Sequence, residues 1–432
     1  MSQWKKVKIG DIFAIEKGSL QSSKNTEGEY DFITAAAEWK THNSYDHDCE
    51  AIVYAVAASG SLGRAHYVNG KFIASDLCFI LTEKDKNKYP INFLFYQIVF
   101  EMLRDEIVSK TGTSKESINR GNFSNYEIPY FSIEFQLANY QRFVDAKNQI
   151  KSLNEESEKQ KEYLKQLRQS ILQQAIEGKL TADWRKQNPV QKGNPDYDAE
   201  ALFEKIKKER VSDKKQKVLS PITDEEKPFK IPEGWKWIRL GEIIKEPPRN
   251  GYSPKAVDFE TPIKTLKLGA VTYGIFDPNE YKYINEEIPK DAYCWLKNGD
   301  FLIERSNSVE YVGICAIYTG KDNEFMYPDL LMRFKTQDIL SKQYIHTALI
   351  SPFNRSYFMS SAKGAQKTMP KINQECVVNT MIPLPPLKEQ EKIVNKVETL
   401  LAKVTILENQ IQDRKSLSDK LIFGIIKENL EG

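Results

Sequence analysis

Two stretches of this sequence share one pattern, and their repetition decides the fold. The first is Leu62-Gly63-Arg64-Ala65-His66-Tyr67-Val68-Asn69-Gly70-Lys71, and the second is Val312-Gly313-Ile314-Cys315-Ala316-Ile317-Tyr318-Thr319-Gly320-Lys321. Each has a glycine, six residues and then Gly-Lys, and each is soon followed by Asp-Leu and an apolar run. The pattern predicts a strand, a turn in which glycine supplies a positive φ, and a returning strand.

Three further pairs of motifs occur in the same order in the two halves of the chain. One motif alone arises by chance, but four in register indicate an internal duplication. Each copy therefore consists of a tryptophan entry, a β-rich body, a glycine loop, an Ile-Pro pair and a long helix. The matched motifs are Trp4…Ile9-Gly10-Asp11-Ile12 with Trp237…Leu240-Gly241-Glu242-Ile243, Gly112…Ile118-Asn119…Ile128-Pro129 with Gly364…Ile372-Asn373…Ile382-Pro383, and Gln141-Arg142-Phe143-Val144 with Glu391-Lys392-Ile393-Val394.

Each β-rich body is followed by apolar residues that recur every three or four positions. A 3.5-residue period over several turns is typical of the core of a coiled coil, and polar interruptions such as Ser157, Gln160, Arg414 and Ser418 fix its register. The alternative is that each helix packs on its own domain, but about 40 residues extend roughly 60 Å, more than such a domain needs. The predicted core positions are Phe143, Ala146, Ile150, Leu153, Ser157, Gln160, Leu164, Leu167 and Ile171, and then Ile393, Val397, Leu400, Val404, Leu407 and Ile411.

Between the two copies lies a segment of mixed character. Gly178 is a predicted helix stop, Asn188–Tyr197 is a polar loop, and Ala199–Arg210 is a short amphipathic helix. Val211–Lys230 is rich in lysine and bounded by prolines, which predicts a linker. The lysine run 205–217 is either a solvated face or a contact to DNA phosphates.

The composition is that of a globular protein made of several domains. The chain has 432 residues, of which 40% are hydrophobic, 28% charged and 11% aromatic. Its longest apolar runs, such as 51–58, fall short of the roughly 18–20 residues of a membrane helix, and Met1–Ile9 has no apolar core of a secretory signal. Five cysteines without a CxxC pair favour a reducing cytoplasm over disulfides or zinc. The net charge of +2 requires any basic surface to be local.

The sequence shows no catalytic motif. Both Gly-x6-Gly-Lys stretches have two residues too many for a phosphate-binding P-loop and lack its Ser or Thr, and no GxGxxG follows a strand. Asp277-Pro278-Asn279-Glu280 lacks the second proline and the aromatic residue of an amino-methyltransferase tetrapeptide. His42 and His47 lie near acidic residues and Cys49, which a polar turn explains better than a metal site. We therefore expect a binding protein with two sites, without catalytic or metal-binding residues.

Several motifs resemble one known family. The stretch 167–185, LRQSILQQAIEGKLTADWR, resembles the central conserved region of the specificity subunits of type I restriction-modification enzymes, called HsdS-type subunits. Ile231-Pro232-Glu233-Gly234-Trp235 resembles the entry to their target-recognition domains, and 382–390, IPLPPLKEQ, resembles the exit into a conserved helix. The segment 201–210 is similar to the branch typified by the K-12 enzyme of enteric bacteria. The first copy departs at 128–136, IPYFSIEFQ, which lacks the double proline and the Glu-Gln pair.

The resemblance implies an α+β fold with pseudo-twofold duplication, in which the two long helices pair as an antiparallel coiled coil. It further implies that the helices dock two methylation subunits, which hold S-adenosylmethionine, and that restriction subunits with ATP and Mg²⁺ complete the complex on double-stranded DNA. The chain itself would need no cofactor and would not be an enzyme. The implied domains are a first target-recognition domain at 1–134, a conserved helix at 135–180, a linker with a short helix at 181–230, a second target-recognition domain at 231–386 and a C-terminal conserved helix at 387–432.

Polar and basic loops between predicted strands are the expected DNA contacts, because base edges are read by polar side chains and phosphates by basic ones. The alternative for each residue is an ordinary exposed turn. Trp39, Trp295 and Tyr311 are predicted core residues instead. In the first domain the predicted contacts are Ser59, Ser61, Arg64, Thr113, Ser114, Lys115, Asn119 and Arg120, and in the second they are Arg249, Tyr252, Arg305, Ser306, Asn307, Ser308, Lys363, Gln366, Lys367 and Lys371.

Two other functions fit the same sequence. One is the DNA-binding subunit of a related bipartite restriction or methylation system outside type I, which purification with its partners would distinguish. The other is a scaffold that assembles proteins through its coiled coil without touching DNA. A scaffold of this kind would show no salt-dependent binding of duplex DNA.

Overall fold

The computed structural model describes residues 4–57, 60–114, 117–210, 219–363 and 369–431. Within these ranges the side chains at 4, 112–114, 143, 146, 147, 150, 415, 416 and 418–431 are not described. The chain forms two compact units, one made of Met1–Lys159 with Ile411–Gly432 and the other of Gln160–Gln410. Both unit boundaries fall inside long helices.

The first unit is built on a six-stranded sheet whose strand order is β2-β7-β5-β6-β3-β4, with β3 and β6 parallel and the other pairs antiparallel. A separate antiparallel pair, β1 with β10, joins the two ends of the domain. In chain order the elements are β1 (Trp4–Lys8), α1 (Ile9–Ile12), β2 (Phe13–Lys17), β3 (Tyr30–Ile33), β4 (Lys40–His42), β5 (His47–Ala55), β6 (Ala65–Ala74), β7 (Cys78–Glu83), α2 (Phe93–Met102), α3 (Arg104–Thr111), β8 (Gly112–Ser114), β9 (Ser117–Ile118), α4 (Arg120–Asn125), β10 (Glu127–Phe131) and α5 (Ile133–Ile176).

The apolar end of β5 explains why this sheet has a core on both faces. Residues 51–55 are all buried, because alternate side chains of a strand point to opposite faces and both faces are covered. On one face Tyr54 packs against the rings of Phe100 and Phe123, and on the other Val53 lies with Phe72 and Ile80.

The second unit contains a four-stranded sheet in the order β12-β18-β16-β17, a three-stranded sheet in the order β13-β15-β14, and the antiparallel pair β11 with β19. Its elements are α6 (Ala182–Gln187), α7 (Ala199–Arg210), β11 (Lys236–Arg239), β12 (Ile244–Asn250), β13 (Ala256–Val257), β14 (Ile263–Leu266), β15 (Tyr281–Ile284), β16 (Phe301–Glu304), β17 (Cys315–Ile317), β18 (Leu331–Thr336), α8 (Lys342–Leu349), α9 (Pro352–Ser361), α10 (Gln374–Asn379), β19 (Met381–Leu384) and α11 (Leu387–Glu431).

The duplication is confirmed by hydrogen bonds that recur in both copies. The amide of Gly63 donates to the carbonyl of Ala55 at 2.8 Å, and the amide of Gly313 donates to that of Glu304 at 2.8 Å. Both glycines have positive φ, 79° and 76°, as the repeated pattern predicts. An arginine then binds the loop before each glycine, in the bonds Arg104 Nε to Leu62 O at 2.7 Å and Arg355 Nη1 to Val312 O at 2.7 Å.

The ends of each domain repeat as well. Val7 lies opposite Ile128 in the first copy and Ile238 opposite Ile382 in the second, so the two Ile-Pro motifs are equivalent. Trp237 lies opposite Pro383, the place that Lys6 takes opposite Pro129. The sequence match of Trp4 with Trp237 is therefore wrong by two residues, because the pairing register equates Trp237 with Lys6.

The second half of each repeated stretch differs from the prediction. Gly70 lies inside the continuous strand β6, opposite Cys49, rather than in a turn between two strands. Its φ is 113°, a backbone conformation that favours glycine, and a Cβ there would have open space around it. Gly70 is therefore an irregular position within a strand and not a turn residue. Gly320 follows β17 in a loop and is absent from the positive-φ glycines of the described chain. Only the first glycine of each stretch supplies the predicted turn.

At the entry to its long helix, the first copy keeps one residue of the Glu-Gln pair. Gln136 is buried, accepts the amide of Asn92 at 2.7 Å and donates to the carbonyl of Phe131 at 2.8 Å. Gln390 likewise accepts the amide of Ser341 at 3.0 Å and donates to the carbonyl of Pro385 at 2.9 Å. The glutamine of the Glu-Gln pair is therefore present in both copies, and only the glutamate is replaced, by Phe135.

The helices α5 and α11 run antiparallel within the second unit. Arg168 binds Glu408 with two hydrogen bonds, Nε to Oε1 at 2.9 Å and Nη2 to Oε2 at 2.7 Å. Further along the chain, Thr181 donates to Glu389 at 2.6 Å. The partner numbers therefore fall as the numbers in the first segment rise, which is the antiparallel order that the family resemblance implies.

The buried positions of these helices follow a heptad, although part of the predicted core is wrong. Leu153, Leu167 and Leu407 are exposed, and the neighbouring Asn154, Arg168 and Glu408 are half-buried in their place. At these positions the less exposed residue lies one place later in the sequence, and Arg168 and Glu408 satisfy each other's charge there. The buried heptad positions are Ser157, Leu164 and Ile171 in α5 and Val397, Val404 and Ile411 in α11, and the predicted positions Phe143, Ala146 and Ile150 have side chains outside those described.

The described parts of the segment between the two copies, up to residue 210 and from residue 219, are packed against other parts of the protein. Gly178 has a φ of 70° and ends α5 as predicted, and α7 spans Ala199–Arg210 with Leu202, Phe203 and Ile206 buried. Of the predicted linker, 211–218 lie outside the described residues. The remainder contacts the second β-rich body, since Arg239 donates to the carbonyl of Ser220 at 3.0 Å and the ring of Phe229 packs against Trp237 and Phe353.

Candidate nucleic-acid interface

Two of the predicted contact loops of the second domain meet at Asp329. The amide of Arg305 donates to the carbonyl of Leu330 at 2.8 Å, and its guanidinium donates to the carbonyl of Asp329 at 3.3 Å. The carboxylate of Asp329 accepts the hydroxyl of Ser253 at 2.5 Å. The 249–255 loop and the 305–308 loop are therefore held together by Asp329, the aspartate of the Asp-Leu pair that follows the second repeated stretch. The sequence identified it as part of the repeat but not as part of the site.

The third loop lies beside the second. Ser306 forms an isolated antiparallel bridge with Lys371, and the amide of Ile372 donates to the carbonyl of Arg305 at 3.0 Å. Lys363 and Lys371 exchange backbone hydrogen bonds of 3.0 and 2.9 Å, which leaves both exposed lysines at the base of the same loop. Gln366 and Lys367, at its tip, lie outside the described residues. Ser306 is fully buried, so its hydroxyl faces the protein.

Glu304 fixes the shape of the 305–308 loop from within. Its buried carboxylate accepts hydrogen bonds from the hydroxyl of Thr272 at 2.7 Å and from the side-chain amide of Asn307 at 2.7 Å. Burial raises the pKa of Glu304. Asn307 in turn accepts the amide of Ser308 at 2.7 Å. Half of the hydrogen-bonding capacity of the Asn307 side chain is thus used inside the loop. Glu304 was missed because it ends an apolar run, 301–304, where a lone acid was the only signal.

Arg249 and Tyr252 lie on the remaining side of this surface. The guanidinium of Arg249 is stacked over the ring of Tyr293, with Cζ 3.4 Å from the ring centroid. The hydroxyl of Tyr252 donates to Glu286 at 2.8 Å, and this bond raises the pKa of Tyr252. Both side chains are exposed. The stack pre-orders the arginine, and a pre-ordered guanidinium suits bidentate recognition of a base edge or phosphate.

In the first domain, Arg64 and Ser61 form the corresponding site. The guanidinium of Arg64 donates to the carbonyl of Ala35 at 2.9 Å and to the hydroxyl of Ser61 at 3.3 Å. Arg64 also borders a cavity of about 360 Å³ that His66, Gln97, Glu101 and Arg104 help to line. Ser59 lies outside the described residues. Arg64 is half-buried, so its charge reaches both the loop and the surface.

A second segment lies beside this loop, as it does in the other copy. Ala57 bridges Ser117, and the amide of Ile118 donates to the carbonyl of Val56 at 2.9 Å. Asn119 caps α4 by accepting the amide of Asn122 at 3.1 Å, and exposed Arg120 donates to the carbonyl of Ile15. Lys115 lies outside the described residues, and Thr113 and Ser114 are described only as backbone of β8. The structure thus brings together the two predicted loop regions of the first domain, as it does the three of the second.

Of the three aromatic residues predicted to lie in the core, one is exposed and two are half-buried. Trp39 is exposed and donates its indole N–H to Nδ1 of His66 at 3.1 Å, so its placement in the core is wrong. Trp295 and Tyr311 are half-buried, and Trp295 donates to the carbonyl of Pro289 at 2.8 Å. Indole has one polar end, and a carbonyl or imidazole near the surface satisfies it better than a closed core.

The described part of the chain holds no group of three or more His, Cys, Asp or Glu residues arranged to bind a metal ion. His47 lies in β5 rather than in a turn, hydrogen-bonded to Asp46 at 2.6 Å and stacked on Phe72. Among the helices in the described ranges, none has the length and apolar character that crossing a membrane requires.

One family model and several known proteins match most of the sequence. The family model described as "Type I restriction modification DNA specificity domain" matches residues 1–165 and 232–414. The EcoEI specificity subunit of a type I restriction enzyme from Escherichia coli is 31% identical over 258 residues, which is 57% of this chain and 42% of that protein. The EcoDI specificity subunit from Escherichia coli is 24% identical over 441 residues, 99% of this chain and 88% of that one.

Solved structures share the architecture. A chain from a structural study of the assembly and conformational transition of a type I R-M system aligns with a TM-score of 0.66 at 15% identity, covering 100% of this chain and 98% of that one. The HsdS subunit from Thermoanaerobacter tengcongensis aligns with a TM-score of 0.51 at 14% identity, covering 100% of this chain and 97% of that one. At these identities the likeness concerns the fold, and it supports the predicted α+β class with its duplicated domains and long helices.

Proposed function

The chain belongs to the family of type I restriction modification DNA specificity domains, and we propose that it is the DNA sequence-recognition subunit of a type I restriction-modification complex. One observation carries the proposal. In each copy, the loop around the repeated glycine and the segment before the Ile-Pro motif are bridged side by side, at Ala57 with Ser117 and at Ser306 with Lys371. Two equivalent surfaces on one chain suit a bipartite DNA target, one half for each domain.

Within each surface, the side chains divide into two roles. Arg64 and Arg305 are held by backbone carbonyls of their own domain, so they present a fixed donor to a base edge. Lys363 and Lys371 are exposed on long flexible stems and suit phosphate contacts, which supply affinity without sequence information. This division predicts separate effects on specificity and on salt dependence.

The paired helices provide the remaining function. Exposed apolar side chains occur on both, among them Tyr163, Leu167, Ile406 and Leu407. We propose that these faces dock two methylation subunits around the pseudo-twofold, and that the length of the helices sets the spacer between the two half-sites. The methylation subunits hold S-adenosylmethionine, and restriction subunits that use ATP and Mg²⁺ join them in the cytoplasm. The chain itself contributes recognition and no catalytic group.

Methylome sequencing tests the proposal. A strain that expresses this chain together with its methylation subunits should methylate a bipartite motif with a fixed spacer, and a strain that lacks only this chain should not. A matched control expresses the chain alone, which should leave the DNA unmodified. A continuous motif, or methylation that does not depend on this chain, would contradict the proposal.

A recognition subunit outside type I would give the same bipartite motif but would purify with different catalytic partners. A scaffold without DNA contacts would leave the methylated motif unchanged when the Arg64 or Arg305 loop is altered. The mass of the purified complex and salt-dependent duplex binding therefore separate the three functions.

A further inference from the structure

A short turn in the second domain exposes two large apolar side chains, Tyr273 and Ile275, which are 82% and 76% exposed. Buried Val271 and Phe276 flank them in the sequence and belong to the core of the domain. The amide of Gly274 donates to the carbonyl of Val271 at 2.9 Å, and a φ of 73° at Gly274 closes the turn. The turn is therefore short and fixed at both ends, and its two apolar side chains extend from it.

The same turn is hydrogen-bonded to the 305–308 loop. Thr272 donates to one oxygen of the Glu304 carboxylate at 2.7 Å, and Asn307 donates to the other oxygen at 2.7 Å. Because Glu304 is buried, it connects the turn and the loop from inside the domain. Tyr273 and Ile275 therefore lie next to the surface that the proposed function assigns to DNA.

The first copy exposes an aromatic residue in the corresponding connection. Tyr273 lies between β14 and β15, and Trp39 lies between β3 and β4, which are likewise antiparallel neighbours. Trp39 is exposed and bound to His66, close in sequence to Arg64 of the predicted contact loop. An exposed aromatic at this place is thus common to both domains.

We propose that Tyr273 and Ile275 are specificity-determining residues of the second domain, which enter a groove of duplex DNA and contact base edges. This inference rests on the proposed function and names side chains that charge and polarity did not select. An aliphatic side chain discriminates by contact with the thymine methyl group, and a tyrosine ring adds apolar contact with a hydroxyl at its end. Neither side chain carries charge, so their contribution to DNA affinity should not depend on salt concentration.

The test uses the complex of the full chain with its methylation subunits and two DNA duplexes. One duplex contains the target motif that the methylome identifies, and in the other the bases of that motif are scrambled. We expect Tyr273→Ala and Ile275→Ala each to weaken binding of the target about tenfold, with unchanged binding of the scrambled duplex and an unchanged salt slope. The methylome of each variant should relax at one position of a single half-site. Phe259→Ala is the matched control, since Phe259 is an exposed aromatic next to the three-stranded sheet, and it should leave both duplexes unaffected.

Failure of this inference is distinct from failure of the proposed function. If the unaltered complex does not prefer its target, the proposed function is wrong, and this inference with it. If the unaltered complex discriminates and both variants discriminate equally well, only this inference is wrong. Equal weakening of both duplexes, or loss of a methylation subunit with discrimination intact, would also overturn it, because the turn would then contact the backbone or a protein. Thermal unfolding should be unchanged, since both side chains are exposed.

Discussion

Arg168 of α5 and Glu408 of α11 form a two-bond ion pair across the helix pair, with N–O distances of 2.9 and 2.7 Å. Both side chains are about one-third exposed, at 33% and 36%. The pair takes two positions that a coiled coil normally gives to apolar residues, and it fixes which residues of the two helices face each other.

The first prediction concerns this pair. A double-mutant cycle of Arg168→Ala and Glu408→Ala should give a coupling free energy of about 0.5–1 kcal/mol near neutral pH, because the pair is partly solvated. The hydrogen bond from Arg168 lowers the pKa of Glu408 below its ordinary 4.5. A lowered pKa in the folded state stabilises the fold above the unfolded value, so the coupling should vanish as the pH falls below 4.5 and through the folded pKa.

Denaturant unfolding at several pH values and salt concentrations measures this coupling. The control pair is Lys186 with Asp183, which is almost fully solvated, and it should show no measurable coupling. A coupling between Arg168 and Glu408 that is the same at low pH and in high salt would show that packing of the side-chain stems, and not charge, joins the helices.

The second prediction concerns Glu389, whose side chain is 2% exposed. It accepts hydrogen bonds from Thr181 at 2.6 Å, from the indole of Trp235 at 2.7 Å and from Arg185. Glu389→Ala should lower the free energy of unfolding by about 3–5 kcal/mol, because three donors lose their acceptor and one of them is a half-buried cation.

Urea unfolding of Glu389→Ala and Glu389→Gln measures this effect. Glutamine keeps one acceptor oxygen, so its cost should be smaller than that of alanine. The control is Glu391→Ala, two residues along the same helix and mostly exposed, which should change stability by less than about 0.5 kcal/mol. Similar values for Glu389→Ala and the control would mean that the 178–185 segment does not depend on this carboxylate.

The third prediction separates backbone strain from crowding at the repeated turn. Gly313 has a φ of 76°, and a Cβ there would approach Cβ of Phe358 to 2.4 Å. Gly60 has a similar φ of 79°, but open space surrounds its Cβ position. Gly60→Ala should therefore cost only the left-handed backbone penalty of about 1–2 kcal/mol, and Gly313→Ala should cost at least about 1 kcal/mol more. Thermal unfolding of both variants measures the difference, and equal losses would show that α9 shifts away without cost.

The glycine turns, the apolar strands and the helix α7 could be predicted from the sequence because each depends on local rules. Gly63 and Gly313 recur with the same spacing, and Leu202, Phe203 and Ile206 lie on one face of their helix. The equivalence of Gln136 with Gln390 was missed, because each buried glutamine binds a helix cap 44 or 49 residues away, and such a contact has no local signature.

Non-local contacts also explain what was missed in the candidate interface. Glu304 and Asp329 order the loops by accepting hydrogen bonds from Thr272 and Ser253, which are distant in sequence. A search for basic and polar loops selects donors that face solvent, and it passes over the acids that hold those loops, whether buried, as Glu304 is, or exposed, as Asp329 is. It also passes over exposed apolar residues such as Tyr273, because apolar side chains are first assigned to the core.

The fourth prediction tests the two roles assigned to the interface. Lys371→Gln should weaken binding of target and scrambled duplexes alike and reduce the salt slope by about one, whereas Arg305→Ala should relax one base position in one half-site and Arg64→Ala one in the other. Lys245→Gln is the control, because Lys245 is exposed and paired with Asp338 at 2.5 Å. Competition binding at several salt concentrations and the methylomes measure these effects. Relaxation of the same half-site by Arg64→Ala and Arg305→Ala would contradict one reader per domain.

The last prediction concerns helix length. Arg168 faces Glu408 in an antiparallel pair, so eleven residues back along α5, at Ser157, the facing position is eleven residues forward along α11, at Asp419. Four residues inserted at both places add about 6 Å to each helix, at 1.5 Å per residue, which is close to two base pairs of B-DNA. The methylated motif should therefore keep both half-sites and lengthen its spacer by one or two base pairs. The control insertion of four residues after Gly193, a loop glycine with open space around it, should leave the spacer unchanged. Methylomes of the two insertion variants decide the matter. An unchanged spacer with full methylation would show that the helices do not set the spacing, and altered half-site bases would show that they take part in reading the sequence.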